Sequence, residues 1–286
     1  MIKLLDRKKN ILILGGDSKI GLLLKKNFRS NKINFISTTR NKKKISKKNI
    51  FLDLKNFNNF IIPNNVDIAY FCLSITSINI CSKFKKETRK INVFNTFALI
   101  KKLLEKDIYV VYFSTNLVFN KNNIKISYNS KFFPQNEYSY QKVMMEEKLQ
   151  NFIKHKNFVI IRFGKIIFKN DKLLISWLNN LKNNKYIIVA KDRFVSPIFE
   201  TDAYEFIKYI TFKKIKGTYQ LTASDYISYE DIANKIIKKF KKTKNFIKLI
   251  HLEKQNNSIL KCNLKNFDNI KSTKSINIFL KNFFKV

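Results

Sequence analysis

The sequence predicts an α/β fold: a doubly wound parallel sheet with helices on both faces, continued by a smaller C-terminal α/β region. Three observations carry this. Short apolar runs alternate with amphipathic stretches through the first half of the chain, the signature of parallel strands joined by helices. The chain holds only 5 glycines in 286 residues, and Gly15, Gly16 and Gly21 all fall at the first strand-to-helix junction. Beyond Gly164 the alternation continues with looser spacing, as expected of a smaller region built onto the edge of a sheet.

The first strand, Ile11–Leu14, is wholly apolar and suits a strand buried on both faces. Gly15 and Gly16 then permit a tight turn, and Gly21 permits close packing of the next helix on the sheet. That helix, residues 20–28, carries leucines on one face and lysines on the other. Further strands are expected at 33–37, 50–52, 67–72 and 108–113. Ahead of the last of these, residues 90–104 repeat Ile91, Phe94, Ala98, Leu99 and Leu103 at helical spacing. A helix around 143–152 and a strand at 158–163 complete the first part. The second part reads as helices at 173–181, 203–210 and 229–240 with strands at 186–189, 217–221 and 246–250. We divide the chain into residues 1–165 and residues 166–286, with some later strands and helices free to return to the main domain.

Composition narrows the function. A hydrophobic content of 45% supports a sizeable core, and no run of eighteen apolar residues spans a membrane. The basic segment from Met1 to Lys9, with the short apolar run after it, lacks the length and cleavage site of a signal peptide. The net charge of +37 comes almost entirely from lysines scattered along the chain. Asn, Ile and Phe are also enriched, which points to A/T-rich coding rather than to a nucleic-acid surface. No specific nucleic-acid partner is expected. Cys72, Cys81 and Cys262 have no metal-ligand spacing, and an odd number of cysteines suits reduced thiols in a cytoplasmic protein. His155 and His251 stand apart and read as surface or packing residues.

Two stretches carry chemistry. A strand, glycines and a helix in that order place backbone N–H groups and a positive helix end against a pyrophosphate. This is the Rossmann-type arrangement, with Ser18 standing where a middle glycine is expected. The next strand ends in Thr38-Thr39-Arg40, with no acidic residue to hold ribose hydroxyls. Hydroxyls and an arginine there suit a 2′-phosphate, so NADP is the expected cofactor, with NAD kept open. The second stretch is Tyr138-Ser139-Tyr140-Gln141-Lys142. A tyrosine and a lysine four residues apart share one helix face. The lysine ammonium is expected to lower the tyrosine pKa, so that the phenol can exchange a proton with a carbinol oxygen. A strand ending in Ser114-Thr115 precedes the pair.

In this order the motifs resemble the extended short-chain dehydrogenases/reductases, most closely the dTDP-4-dehydrorhamnose reductase-like enzymes. The matching stretches are GGDSKIG, FLDL (Phe51 to Leu54), KINVFNT (around Asn92), YFSTNLVFN, PQNEYSYQKVMMEEKL, IIRFGKI, DRFVSPIFETDA and GTYQLTASDYISYEDIA. The resemblance implies an NAD(P)-binding domain over residues 1–165 and a substrate-binding region over residues 166–286. It implies an NADP-dependent reductase of a 4-keto nucleotide sugar in carbohydrate biosynthesis, with Thr115, Tyr138 and Lys142 catalytic. Its cofactor residues map to Gly15, Asp17, Ser18, Lys19, Ile20 and Gly21 at the glycine loop, and to Thr39 and Arg40 after the second strand. They continue with Asp53 and Leu54, with Cys72, Leu73 and Ser74 after the fourth strand, and with Asn92. Substrate residues map to Asn116, Arg193 and Ser196, no metal is implied, and a homodimer is left open. Phe163 stands where the resemblance expects a proline, and Asn116 where it expects an aspartate. Two alternatives are weighed: an NAD-dependent sugar-nucleotide epimerase or dehydratase, and a non-catalytic NADP-binding regulatory relative.

Overall fold

The computed structural model describes residues 9–119, 125–152, 157–251 and 259–284. Asn120, His155 and nearly all of the basic N-terminal segment lie outside these residues. The chain forms two units.

The first unit comprises Met1–Val118, Pro134–Arg162 and Tyr204–Tyr219. Its elements are β1 (Ile11–Leu14), α1 (Lys19–Ser30), β2 (Phe35–Thr39), β3 (Asn49–Phe51), β4 (Ile68–Phe71), α2 (Thr96–Glu105), β5 (Tyr109–Thr115), α3 (Glu137–Asn151), β6 (Phe158–Phe163), α4 (Glu200–Phe212) and β7 (Gly217–Leu221). These strands form one seven-stranded sheet in the order β7-β6-β5-β4-β1-β2-β3. The pairings β2–β3, β1–β2, β1–β4 and β4–β5 are parallel, with Leu12 opposite both Ile36 and Ala69. The order reverses between β1 and β4, which opens a crevice at the carboxyl ends of those strands.

Every residue of β1, β4 and β5 is buried, so these strands are apolar on both faces rather than alternating. On one face Leu12, Ala69 and Val110 pack with Leu99 and Leu103 of α2 and with Met145 and Leu149 of α3. Elsewhere Phe28 of α1 lies 5.7 Å from the Tyr70 ring and 6.5 Å from the Tyr204 ring of α4.

The second unit comprises Phe119–Phe133, Phe163–Ala203 and Gln220–Val286. It uses short strand pairs: Ile187–Ala190 with Ile247–Ile250, Ile166–Ile167 with Ile198–Phe199, and Phe194–Val195 with Ile227–Ser228. Its core gathers Trp177, Leu178, Val189, Ile236 and Phe279 from three helices and these strands. The units interleave in sequence, so the division after residue 165 holds only with later elements returned to the first unit. The strand 217–221 joins the main sheet, and 119–133 goes to the second unit.

One element differs in kind. Residues 90–104, expected as a single helix, are a π-helical segment, Lys90–Asn95, followed by α2. The Thr96 hydroxyl donates to the Ile91 carbonyl five residues back, at 2.8 Å, which stabilises the wider turn. Such single wide turns recur at functional sites, and this one carries Asn92.

Candidate active site

The glycine loop forms from steric necessity at each of its glycines. Gly15 has φ +85°, a conformation L side chains rarely adopt. Gly16 needs no unusual backbone, but a Cβ there would lie 2.8 Å from the Ser37 Cβ. A Cβ on Gly21 would lie 2.3 Å from the Gly15 carbonyl oxygen. Gly21 is therefore required by the loop itself, not by the sheet as the sequence reading supposed. Ser18 has an ordinary φ of −70° and caps α1, its hydroxyl accepting the Gly21 N–H at 3.0 Å. A serine thus satisfies one first-turn N–H of α1, and the positive end of the helix remains at the loop.

A cleft of about 440 Å³ lies where these loops meet, lined from the carboxyl ends of β1, β2, β3 and β4. Of the expected cofactor residues, its walls hold Gly15, Asp17 and Ser18; Thr39 and Arg40; Asp53 and Leu54; and Cys72, Leu73 and Ser74. Lys19, Ile20, Gly21 and Asn92 lie outside the walls. Asn92 is fixed behind them: it accepts the Ile75 N–H at 2.8 Å and donates to the Ile75 carbonyl at 2.9 Å and to Gln141 Oε1 at 2.7 Å. It therefore ties the loop after β4 to α3.

The hydroxyls after β2 are engaged internally. Thr38 Oγ1 accepts the Gly15 N–H at 2.9 Å, and Thr39 Oγ1 donates to Asp17 at 2.5 Å while accepting the Asn41 N–H at 3.0 Å. Lys44 returns to the cleft and pairs with Asp17 at 3.3 Å. Burial pushes the Asp17 carboxyl up, but the hydrogen bonds from Thr39 and Lys44 outweigh it and hold the pKa below its ordinary value. Asn41, Lys44, Lys55 and Ile75 also line the cleft without having been expected. In a chain this rich in lysine nothing local marks Lys44. A 3₁₀ turn over Lys42–Lys44, capped by the Asn41 side chain on the Lys43 N–H, selects which lysine returns.

The catalytic candidates sit on β5 and α3. Asn136 and Ser139 form a reciprocal capping box that starts α3 one residue before Tyr138. Glu137 accepts two bonds from Arg89, at 2.6 and 2.8 Å, and Gln141 donates to Thr88 at 2.8 Å. These bonds hold the first turns of α3 against the segment that carries Asn92. Tyr138 and Lys142 are both buried, as is Thr115 at the end of β5. Lys142 Nζ donates to the Phe113 carbonyl at 2.8 Å and to the Tyr112 hydroxyl at 3.1 Å, and lies 6.0 Å from the centre of the Tyr138 ring. The Thr115 hydroxyl accepts the Leu117 N–H at 3.2 Å. One turn past Lys142, the fully buried Glu146 pairs with Arg162 at 2.6 Å and accepts from Ser114 at 2.5 Å.

The electrostatics correct one expectation. Burial pushes the Tyr138 phenol well above its ordinary pKa, with a smaller push in the same direction from Cys81. Lys142 does not lower it, because its ammonium is directed at Tyr112 and Phe113. Burial also drops the Lys142 pKa to about 8, opposed by Glu146 and then by Cys72 and Cys81. Cys72 lies on the cleft wall, and burial holds its thiol well above the ordinary range. The charge of Lys142 is thus felt at that wall.

The substrate-side candidates divide between the units. Asn116 follows Thr115 in the first, while Arg193 and Ser196 belong to the second. Arg193 Nε and Ser196 Oγ are buried with no hydrogen-bond partner among the described residues. Cys72, Cys81 and Cys262 are free thiols. Among the described residues no helix is long and apolar enough to cross a membrane, and no group of three or more His, Cys, Asp or Glu is placed to hold a metal.

A family model described as the RmlD substrate binding domain matches residues 9–283. The chain belongs to this family. Its seven-stranded sheet is that of the extended short-chain dehydrogenases/reductases, and solved structures of similar fold cover nearly the whole of it. A dTDP-4-dehydrorhamnose reductase from Clostridium acetobutylicum is 18% identical over 96% of this chain and 99% of that one, with a TM-score of 0.79. The Bacillus anthracis dTDP-4-dehydrorhamnose reductase, solved in complex with NADP, is 19% identical over 96% and 98%, with a TM-score of 0.81. DesIV, a dTDP-glucose 4,6-dehydratase from Streptomyces venezuelae solved with NAD and TYD, is 12% identical over 96% and 97%, with a TM-score of 0.78. No curated protein sequence matches the chain.

Proposed function

We propose that this member of the RmlD substrate binding domain family is an NADP-dependent reductase of a 4-keto nucleotide sugar. The observation that carries the reading is a single arrangement. A cleft framed by a glycine loop and a helix N-terminus is tied through Ile75 and Asn92 to the helix that carries the buried Tyr138 and Lys142. These two and Thr115, at the end of the strand that Lys142 contacts, are not among the residues that line the cleft.

The cleft fits a nicotinamide dinucleotide. Gly15, Ser18 and the start of α1 would take the pyrophosphate, Arg40 and Lys44 the 2′-phosphate, and Asp53 and Leu54 the adenine side. A bound nicotinamide supplies or accepts hydride. Tyr138 is protonated at neutral pH, as a general acid for reduction must be, and burial disfavours its phenolate further. It would deliver that proton to the substrate oxygen, while Thr115 hydrogen-bonds the same oxygen and polarises the carbonyl. Lys142, when charged, would hold the nicotinamide ribose from its place beside Tyr112 and Phe113. In the second unit, Arg193 Nε and Ser196 Oγ are the kind of unsatisfied buried donors that an oxygen-rich nucleotide sugar would satisfy. Cytoplasmic location and a role in carbohydrate biosynthesis belong to this reading, which leaves the oligomeric state open.

A second reading, an NAD-dependent epimerase or dehydratase, has one observation in its favour: the cleft wall carries a carboxylate, Asp17, that could accept ribose hydroxyls if they displaced its partner Lys44. Turnover of 4-keto nucleotide sugars with NADPH separates the two. Tyr138→Phe keeps the ring but loses the proton, so turnover should fall about 10²–10⁴-fold while NADPH still binds. Unchanged turnover in that variant would reject the mechanism.

A further inference from the structure

A carboxylate that reads ribose hydroxyls normally stands at the end of the second strand. Here that position holds Arg40, yet a carboxylate reaches the same corner from another direction. Asp17, in the glycine loop, is held to the end of β2 by the Thr39 hydroxyl at 2.5 Å and is paired with Lys44 at 3.3 Å. The cleft walls therefore carry three cations, Arg40, Lys44 and Lys55, against two carboxylates, Asp17 and Asp53. Arg40 is exposed, and both partners of the Asp17–Lys44 pair reach solvent, at 37% and 57% side-chain exposure. The pair is thus open to competition from a ligand.

We propose that the Asp17–Lys44 pair sets which nicotinamide dinucleotide this cleft prefers. With Lys44 in place the Asp17 carboxylate is neutralised, and Arg40 is left to attract a 2′-phosphate. Without Lys44 the same carboxylate repels a 2′-phosphate and is free to accept ribose 2′- and 3′-hydroxyls. Lys44 is then a specificity residue that acts through Asp17, not only through a phosphate contact of its own. Thr39 is a positioning residue that keeps the carboxylate at the end of β2. The inference rests on reading the cleft as a dinucleotide site.

The test is a binding cycle on the full chain. Dissociation constants for NADPH and NADH are measured by fluorescence titration at low salt for the unmodified protein, Lys44→Ala, Asp17→Asn and the double variant. Lys44→Ala should cut the NADPH-over-NADH preference roughly tenfold, the effect of one uncompensated charge a few ångströms from a phosphate in water. Adding Asp17→Asn should restore most of that preference, and Asp17→Asn alone should tighten NADPH binding relative to NADH, because it removes a negative charge from the cleft wall. The coupling between the two changes should shrink as salt is raised, because both groups are solvent-accessible. A double variant as poor toward NADPH as Lys44→Ala would mean that Lys44 acts by direct contact alone, and would overturn the proposal. So would a Lys44→Ala preference equal to that of the unmodified protein. If the unmodified protein binds neither dinucleotide, the reading of the cleft itself fails, an outcome distinct from both.

Discussion

At the scale of single residues, Lys142 shows how burial and chemistry oppose each other. Its ammonium sits inside the unit, and burial lowers its pKa to about 8 despite the nearby Glu146 carboxylate. The charged form, which the proposed ribose contact requires, is therefore present below about pH 8 and lost as pH rises through that value. NADPH affinity should fall across this range, whereas an unperturbed lysine titrates near 10.4. Titration of NADPH from pH 6.5 to 9.5 checks this, and Lys142→Met should bind more weakly with the alkaline step gone. An alkaline step that survives in Lys142→Met would assign the titration elsewhere. Tyr138 behaves in the complementary way. Its raised pKa keeps the phenol protonated at neutral pH and makes it a weaker acid than a free tyrosine.

At the scale of elements, the glycine loop and helix α3 are each set by a few contacts. The loop is closed by the Gly15 and Gly16 N–H groups, which donate to the Thr38 hydroxyl and carbonyl at 2.9 Å each. Its packing leaves no room at Gly21. Helix propensity alone favours Gly21→Ala by about 1 kcal/mol, but the new Cβ would meet the Gly15 carbonyl oxygen at 2.3 Å and the Gly16 Cα at 2.9 Å. Those are backbone atoms, so the loop must shift. Gly21→Ala should lower stability by about 1–3 kcal/mol in urea denaturation and weaken NADPH binding. A stabilised variant would show that the close approach is unimportant. Helix α3 begins before its apolar pattern does. Its first two turns bury Tyr138, Ser139, Gln141 and Lys142, which are polar or amphipathic, so the apolar pattern marks only residues 143–152. The helix begins earlier because the Asn136 capping box and the Arg89–Glu137 and Asn92–Gln141 contacts satisfy those groups.

At the scale of the whole molecule, the net charge of +37 is the dominant property. Few carboxylates are available to pair with it, and two of the strongest pairs, Arg162–Glu146 and Arg89–Glu137, are spent on holding α3 in place. The remaining lysines give a cationic surface with no sequence-reading element behind it. Duplex DNA should therefore bind weakly and without sequence preference, losing at least about tenfold in affinity between 50 and 200 mM salt. Gel-shift titrations with two unrelated duplexes decide this. Tight binding of one duplex over the other at physiological salt would require a nucleic-acid function that the fold does not otherwise suggest.

Much of this protein could be read from residue order alone. The alternation of apolar strands and amphipathic helices, the clustered glycines and the four-residue spacing of Tyr138 and Lys142 are local patterns. They specify the sheet, the cleft corner and the placing of Tyr138 and Lys142 on one helix because backbone sterics and helical periodicity act over a few residues. What tertiary structure alone decided depends on contacts between residues far apart in sequence. The hydroxyls of Thr38 and Thr39, legible as phosphate ligands, are consumed by Gly15 and Asp17. Lys44 becomes distinct from its neighbours only when it meets a carboxylate 27 residues away. The direction in which Lys142 and Tyr138 titrate follows from how deeply α3 is buried, and burial is a property of the packed chain that no local pattern encodes.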